Sequence, residues 1–188
     1  MSRQWSIAGR LQVVPALDRL DLLAEPVARA LRELPAEDAA RCGVAEIDPE
    51  LADTAAFCER YEVPLHASAN CVVVAGKRGG EVRYAACLVM ATTRADVNGV
   101  VKRRLDVRKA SFAPMADAIG LTGMEYGGIT PVGLPAGWPL LLDPAVVAAP
   151  ELVVGSGVRR SKLLLPGELL ARLPGAEVLE GLGVPVPA

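Results

Sequence analysis

Aromatic residues make up only 4% of this 188-residue chain, and histidine occurs once. The core must therefore be built from Val, Leu and Ala, and a hydrophobic content of 52% is ample for that. No apolar run approaches the ~18 residues of a membrane-spanning helix, so no membrane partner is expected. The start, Met-Ser-Arg-Gln-Trp-Ser, leads into no continuous apolar stretch, which argues against a secretory signal and for a cytoplasmic protein. Cys42, Cys58, Cys71 and Cys87 contain no C-x-x-C pair, and His66 alone cannot complete a zinc set. No metal and no other cofactor is expected, and the thiols read as reduced core residues. Dinucleotide, P-loop, zinc-protease and serine-elbow motifs are all missing, which disfavours the chemistries they carry.

What is present is uneven. Residues 31–63 hold nine acids and three bases, whereas residues 94–109 hold six bases and two acids. The basic segment (Arg94, Lys102, Arg103, Arg104, Arg108, Lys109) suits either a phosphate-bearing partner or a solvated helix face.

Along the chain, Leu11–Val14 reads as a short strand and Val27–Leu34 as a helix opened by Pro26 and closed by Pro35. Asp48-Pro49-Glu50 is a helix start, with Leu51, Ala55, Cys58 and Tyr61 as its buried stripe. Ser68–Ala75 and Glu81–Ala91 form an antiparallel hairpin around the turn 76–80. By alternation Ser68, Asn70, Val72 and Val74 share one face, and Cys71 points to the other. Asp96 caps a helix running to Leu105, and Pro114 opens another. Leu140–Leu142, Glu151–Val154 and Ser161–Leu165 are strands, and Pro166–Leu173 is a closing helix. Short strands interleaved with helices argue for an α/β or α+β fold around a mixed sheet.

Two stretches invite a ligand. Thr122–Pro135 packs four glycines and two prolines into fourteen residues, too many turn formers for a helix or a regular strand. Such a loop is either a structural crossover or a rigid site whose bare backbone and threonine hydroxyls meet a polar ligand. Gly155-Ser-Gly-Val-Arg-Arg-Ser-Lys162 is either a hairpin turn or an anion site built from amides with Arg159 or Lys162.

Several segments fit one family in order: the first hairpin, Thr122-Gly-x3-Gly-Gly-Ile-Thr-Pro-Val-Gly133, Glu151-Leu-Val-Val-Gly-Ser-Gly157, and Lys162-Leu-Leu-Leu-Pro-Gly-Glu-Leu-Leu170. The sequence resembles the YbaK/prolyl-tRNA-editing family of aminoacyl-tRNA deacylases over roughly residues 50–180. That resemblance implies a barrel-like curled, mixed sheet with flanking helices in a domain at 46–182, preceded by an N-terminal extension (1–45) and followed by a flexible tail (183–188). It implies metal-independent hydrolysis of the ester between a small, wrong amino acid and tRNA, acting in trans. The loop backbone and the tRNA ribose hydroxyl would do the work.

By the same resemblance Gly128 stands at the functional loop glycine, Thr130 and Pro131 shape the pocket, and Asn70 replaces a lysine usual in the first hairpin strand. Asparagine can hydrogen-bond a substrate but brings no charge, so a non-catalytic member binding aminoacyl-tRNA or a synthetase is the alternative. The candidate catalytic residues are Gly128, Asn70 and Thr130. The candidate substrate contacts are Ser68, Gly127, Pro131, Gly133, Gly155, Ser156 and Gly157. The candidate tRNA contacts are Lys102, Arg103, Arg104, Lys109, Arg159 and Lys162. The expected partner is the acceptor end of tRNA, with a synthetase as a second candidate and DNA not expected.

Overall fold

Glycine at both central positions of a two-residue turn lets strands meet with their natural twist, and Gly79-Gly80 does so here with φ of 57° and 83°. The turn is tighter than the sequence suggests, because Gly76–Arg78 stay in the ladder, with Arg78 opposite Glu81. A computed structural model describes residues 3–187. Its strands are β1 (Val13–Pro15), β2 (Gly43–Glu46), β3 (Ala69–Arg78), β4 (Glu81–Met90), β5 (Thr93–Ala95), β6 (Ala110–Phe112), β7 (Leu140–Leu142), β8 (Leu152–Gly155), β9 (Ser161–Leu165), β10 (Ala176–Val178) and β11 (Gly183–Pro185). The α-helices are α1 (Glu25–Glu33), α2 (Ala36–Ala39), α3 (Thr54–Tyr61), α4 (Lys102–Leu105), α5 (Met115–Thr122), α6 (Pro144–Ala148) and α7 (Gly167–Leu170).

One sheet runs β10-β7-β4-β3-β6, a second β1-β2-β9-β8, and β11 pairs with β5. β7 is parallel to both β4 and β10, and the other pairs are antiparallel. The fold is thus mixed α/β, as expected. Among the described residues the two main sheets meet at a single parallel bridge, Ser68 to Val153, rather than closing into a barrel.

Alternation explains the layering. Ala86, Leu88 and Met90 of β4 join Leu152, Val154, Leu163 and Leu165 in the largest apolar cluster, between the two main sheets. Ala85, Cys87 and Val89 face the opposite way, against Val101, Leu105 and Val107 around α4. Val153 and Leu164 turn to a third cluster holding Phe57 and Cys58 of α3. Strands covered on both faces read as unbroken apolar runs, and Leu140–Leu142 is one.

The N-terminal segment enters this body rather than standing beside it. β2 lies between β1 and β9, and α1 adds Val27, Ala28 and Leu31 to the main cluster. At the other end, the expected tail supplies β11. The expected stripe after Asp48 differs too. Asp48 caps only a 3-10 turn, Pro49–Leu51, before α3 restarts at Thr54, so Phe57 and Cys58 are buried and Ala55 is exposed.

Candidate functional site

Where the two main sheets diverge from the Ser68–Val153 bridge, a cavity of about 510 Å³ opens. β3 (69–73) forms one wall, β8 and Lys162 of β9 the wall opposite, and Thr54 and Phe57 of α3 one end. Phe112, Met115 and Tyr126 stand at its rim, with Phe112 63% and Tyr126 56% exposed. β3 is an open edge here, because β6 pairs only with Val74–Gly76. Ala91 donates to the Ser68 carbonyl on the β4 side and Ala113 to the Val73 carbonyl on the other. Alternation then points the main-chain groups of Ala69 and Cys71 outward at the cavity. Both faces of β3 therefore contribute: Asn70 and Cys71 both line the cavity, although Cys71 keeps to the opposite face of the strand, packed on the main cluster, as alternation predicts.

The glycine-rich loop closes another side. Helix α5 ends at Gly123 with φ 68°, and Thr122 seals that end by donating to the Ala118 carbonyl and accepting from Met124 N. The next residues zip onto the β8–β9 turn: Glu125 N donates to Gly157 O (2.8 Å) and Gly157 N to Gly128 O (2.7 Å). The glycines serve this close approach of two backbones. A Cβ on Gly128 would lie 2.7 Å from the Val158 carbonyl, and one on Gly155 2.6 Å from the carbonyl oxygens of Gly128 and Ile129.

These contacts redistribute the candidate residues. Asn70, Ser68, Gly127 and Gly155 line the cavity, and Ile129 joins them from the loop. Gly128 does not, because its tight contact is with Val158 and its amide donates to Glu125 O. Thr130 is fully buried away from the cavity, its hydroxyl without a hydrogen-bond partner. Pro131 and Gly133 face a second cavity, about 760 Å³, shared with α1 residues Pro26, Arg29 and Glu33.

In the 155–162 turn one amide and one hydroxyl are already engaged within the fold. Gly157 N bonds the loop, and the single hydrogen of the buried Ser156 hydroxyl is shared between the Val158 (3.1 Å) and Ser161 (3.0 Å) carbonyls. Of the basic segment, Arg104 pairs with Glu177 at 2.8 Å and lines the second cavity. Lys102 is half-buried, and Arg103 and Lys109 are exposed. Arg159 lies by the first cavity's mouth, where it donates to Pro49 O (3.2 Å) and faces Asp53 (3.9 Å).

A family model described as an aminoacyl-tRNA editing domain matches residues 48–173, well over half of the chain. The chain belongs to that family. No curated protein matches the sequence. A solved structure of a candidate trans-editing enzyme for prolyl-tRNA synthetase is 22% identical with a TM-score of 0.70, over 86% of this chain and 99% of the other. A hypothetical protein is 18% identical with a TM-score of 0.72, over 85% of this chain and all of the other. At such identities the likeness is one of fold.

Polar groups converge in the cavity of this aminoacyl-tRNA editing domain. Asn70 Oδ1 accepts from the Thr54 hydroxyl at 2.7 Å, an arrangement that leaves the amide NH2 directed elsewhere. Ser68 meets Cys58 Sγ at 3.4 Å. Lys162, one of the candidate tRNA contacts, is 8% exposed and lines the cavity. Its ammonium donates to Ala52 O at 2.9 Å and sits 5.1 Å from the centre of the Phe57 ring. Burial lowers its pKa from 10.5 to about 8.

Burial, with a lesser push from Cys87, drives the Cys71 thiol far above its ordinary range, which leaves it protonated and a poor nucleophile. A folded Cys71→Ser variant is therefore expected to keep the editing rate, checked by single-turnover deacylation.

The residues not singled out from sequence are mostly apolar or aromatic: Thr54, Phe57, Phe112, Met115 and Tyr126. A signal did exist. The chain has two phenylalanines, and both line this cavity.

Proposed function

We propose that this editing domain hydrolyses the ester of a small amino acid wrongly attached to tRNA, acting in trans, with the reacting end of the tRNA in the cavity between β3 and β8. The observation that carries the reading is the cavity itself: apolar in depth, polar at Asn70 and Lys162, open-edged along β3, and rimmed by exposed aromatic rings. Unpaired bases are held by stacking on aromatic side chains, and Tyr126 and Phe112 are placed to receive the terminal adenine. The free main-chain groups of Cys71 and the Asn70 amide then orient the aminoacyl group. A hydrolytic second site is useful because a synthetase pocket separates side chains differing by one methylene by only ~1–3 kcal/mol.

Arg159, which faces Asp53 of the cavity wall, and the exposed Lys109, three residues before Phe112, are assigned to the entering strand; Arg104 lines the other cavity. Among the described residues no three His, Cys, Asp or Glu side chains converge as a metal site requires. Water activation is assigned to positioned polar groups and the tRNA ribose hydroxyl, and a chelator should leave the rate unchanged.

The test is a deacylation panel: purified protein against tRNAs charged with Ala, Pro, Cys, Ser and Thr. Turnover on at least one charged tRNA is the expected result. Tight binding with no turnover on any would replace the enzyme with a tRNA-binding adaptor.

Tyr126→Ala is expected to raise KM by about tenfold or more, from one lost stacking contact of ~1–3 kcal/mol, with kcat less affected. An unchanged KM would remove Tyr126 from the adenine site.

A further inference from the structure

Among the described residues Lys162 is the one cationic side chain lining the cavity. An ammonium carries three donors, and among the described residues only one is taken, by the Ala52 carbonyl at 2.9 Å. None of the ion pairs among the described residues includes it. The nearby Asp53 carboxylate faces Arg159 at 3.9 Å and is itself exposed. The titratable groups that face Lys162 are Cys58 of α3, Asp53 just before that helix and Arg159 of the β8–β9 turn. A buried cation with no counter-ion is costly unless something completes it, and the open side here is the cavity. β9 holds its Cα rigidly, because Lys162 is paired with Ala45 on one side and Gly155 on the other. The face of Phe57 fixes the direction of the side chain, its π cloud stabilising the cation.

We propose that the Lys162 ammonium is the anion-binding group of the cavity and holds the carbonyl oxygen of the bound ester as negative charge develops there. This rests on the deacylase reading above. In the step it serves, the oxygen of water bonds to the ester carbon and the C=O π pair moves onto the carbonyl oxygen, beside Lys162. Collapse of that tetrahedral species breaks the bond to the ribose oxygen, which leaves with the proton released by the water. The products are the free amino acid and the tRNA 3′ hydroxyl. A preorganised cation in a water-poor site stabilises such charge far better than one in solvent. Asn70 brings no charge to its own wall of the cavity, and Lys162 brings it from the opposite sheet.

Two adenosine probes separate this role from a structural one. The first carries alanine through a 3′ amide and is neutral at the carbonyl. The second carries the alanine phosphonate ester, a tetrahedral anion. Wild-type protein should bind the phosphonate more tightly than the amide. Lys162→Met should weaken phosphonate binding by roughly 30-fold or more while leaving amide binding within about threefold, as expected for loss of a charge-assisted hydrogen bond. Lys162→Gln keeps a donor for Ala52 and should show the same selective loss. Equal losses on both probes, or no loss on either, would overturn the proposal, as would a wild type indifferent to the charge.

If neither variant folds, the wild type alone decides. Its phosphonate affinity should fall as pH rises above about 8, where the ammonium loses its proton, and a flat profile overturns the assignment. The two readings fail separately. No turnover on the charged-tRNA panel with selective phosphonate binding intact removes the deacylase and keeps the anion site. Turnover with no Lys162-dependent selectivity does the reverse.

Discussion

Gly128→Ala is expected to destabilise the editing domain by about 3 kcal/mol, the upper part of the usual cost of overpacking a filled site. For a chain of this length that corresponds to a fall in Tm of roughly 6–12 °C. Strain of the backbone is not the cause, since Gly128 lies outside the left-handed region that Gly127 occupies with φ 85°. The new methyl would sit 2.7 to 2.9 Å from the backbone N, C and O of Val158. A backbone held by Gly157 N–H to Gly128 O cannot swing aside as a flexible side chain can. Relief would come only by parting the loop from the β8–β9 turn, which would also move Gly127 and Ile129 in the cavity wall. Editing should fall with stability, not independently of it. Gly120→Ala is the control: it lies in α5 with nothing within 4 Å of a new Cβ, and should stabilise by about 0.5–1 kcal/mol. Thermal melts of both variants decide the matter, and an unshifted Gly128→Ala melt would show that the loop is free to move.

Lys162→Met is expected to make the protein more stable near neutral pH, although it removes a polar contact. The lysine has a pKa of about 8 when folded against an ordinary 10.5, a difference worth about 3 kcal/mol. The sign follows from which state holds the proton. Below about pH 8 both states are charged, so the folded state bears the full penalty of a desolvated ammonium. Between about pH 8 and 10.5 the folded state releases its proton first, and the penalty fades as pH rises. Loss of the bond to the Ala52 carbonyl offsets part of the gain, by about 1 kcal/mol. A net rise in Tm of roughly 4–8 °C at pH 7 is expected, shrinking as pH rises and reversing to a small deficit by pH 10.5, where only the lost Ala52 bond remains. Denaturation measured at both pH values checks it. A variant less stable than wild type at pH 7 would mean that the ammonium is well solvated or paired.

A rise in Tm on Lys162→Met is the mark of a site that trades stability for chemistry. A buried lysine without a counter-ion stands where a methionine is expected to be more stable. Unpaired charge of this kind concentrates at functional sites.

Much of the scaffold was legible because its causes are local. Gly79-Gly80 makes the hairpin turn, Asp96 accepts from the amides of Gly99 and Val100, and Leu140–Leu142 and Ser161–Leu165 are strands at the bounds their apolar runs suggest. The motif from Thr122 to Gly133 likewise marked the family and the loop beside the cavity. Which way each residue of that loop faces was not legible. Gly127 and Ile129 look into one cavity, Pro131 and Gly133 into another, and Thr130 into neither, because the loop is clamped on a turn some thirty residues later.

Lys162 shows the same division. Its sequence neighbours Arg159 and Arg160 make it one of a basic cluster, which suggests a surface. Yet strand alternation and the docking of α3 carry it inward beside Phe57, more than a hundred residues away in the chain. Turns, caps and strand periods arise from neighbours a few bonds apart, so the sequence by itself determined the elements and the family they build. Burial and the direction of a side chain depend on what distant segments pack against it. Only the tertiary structure could make Asn70 of one sheet and Lys162 of the other opposite walls of a single site.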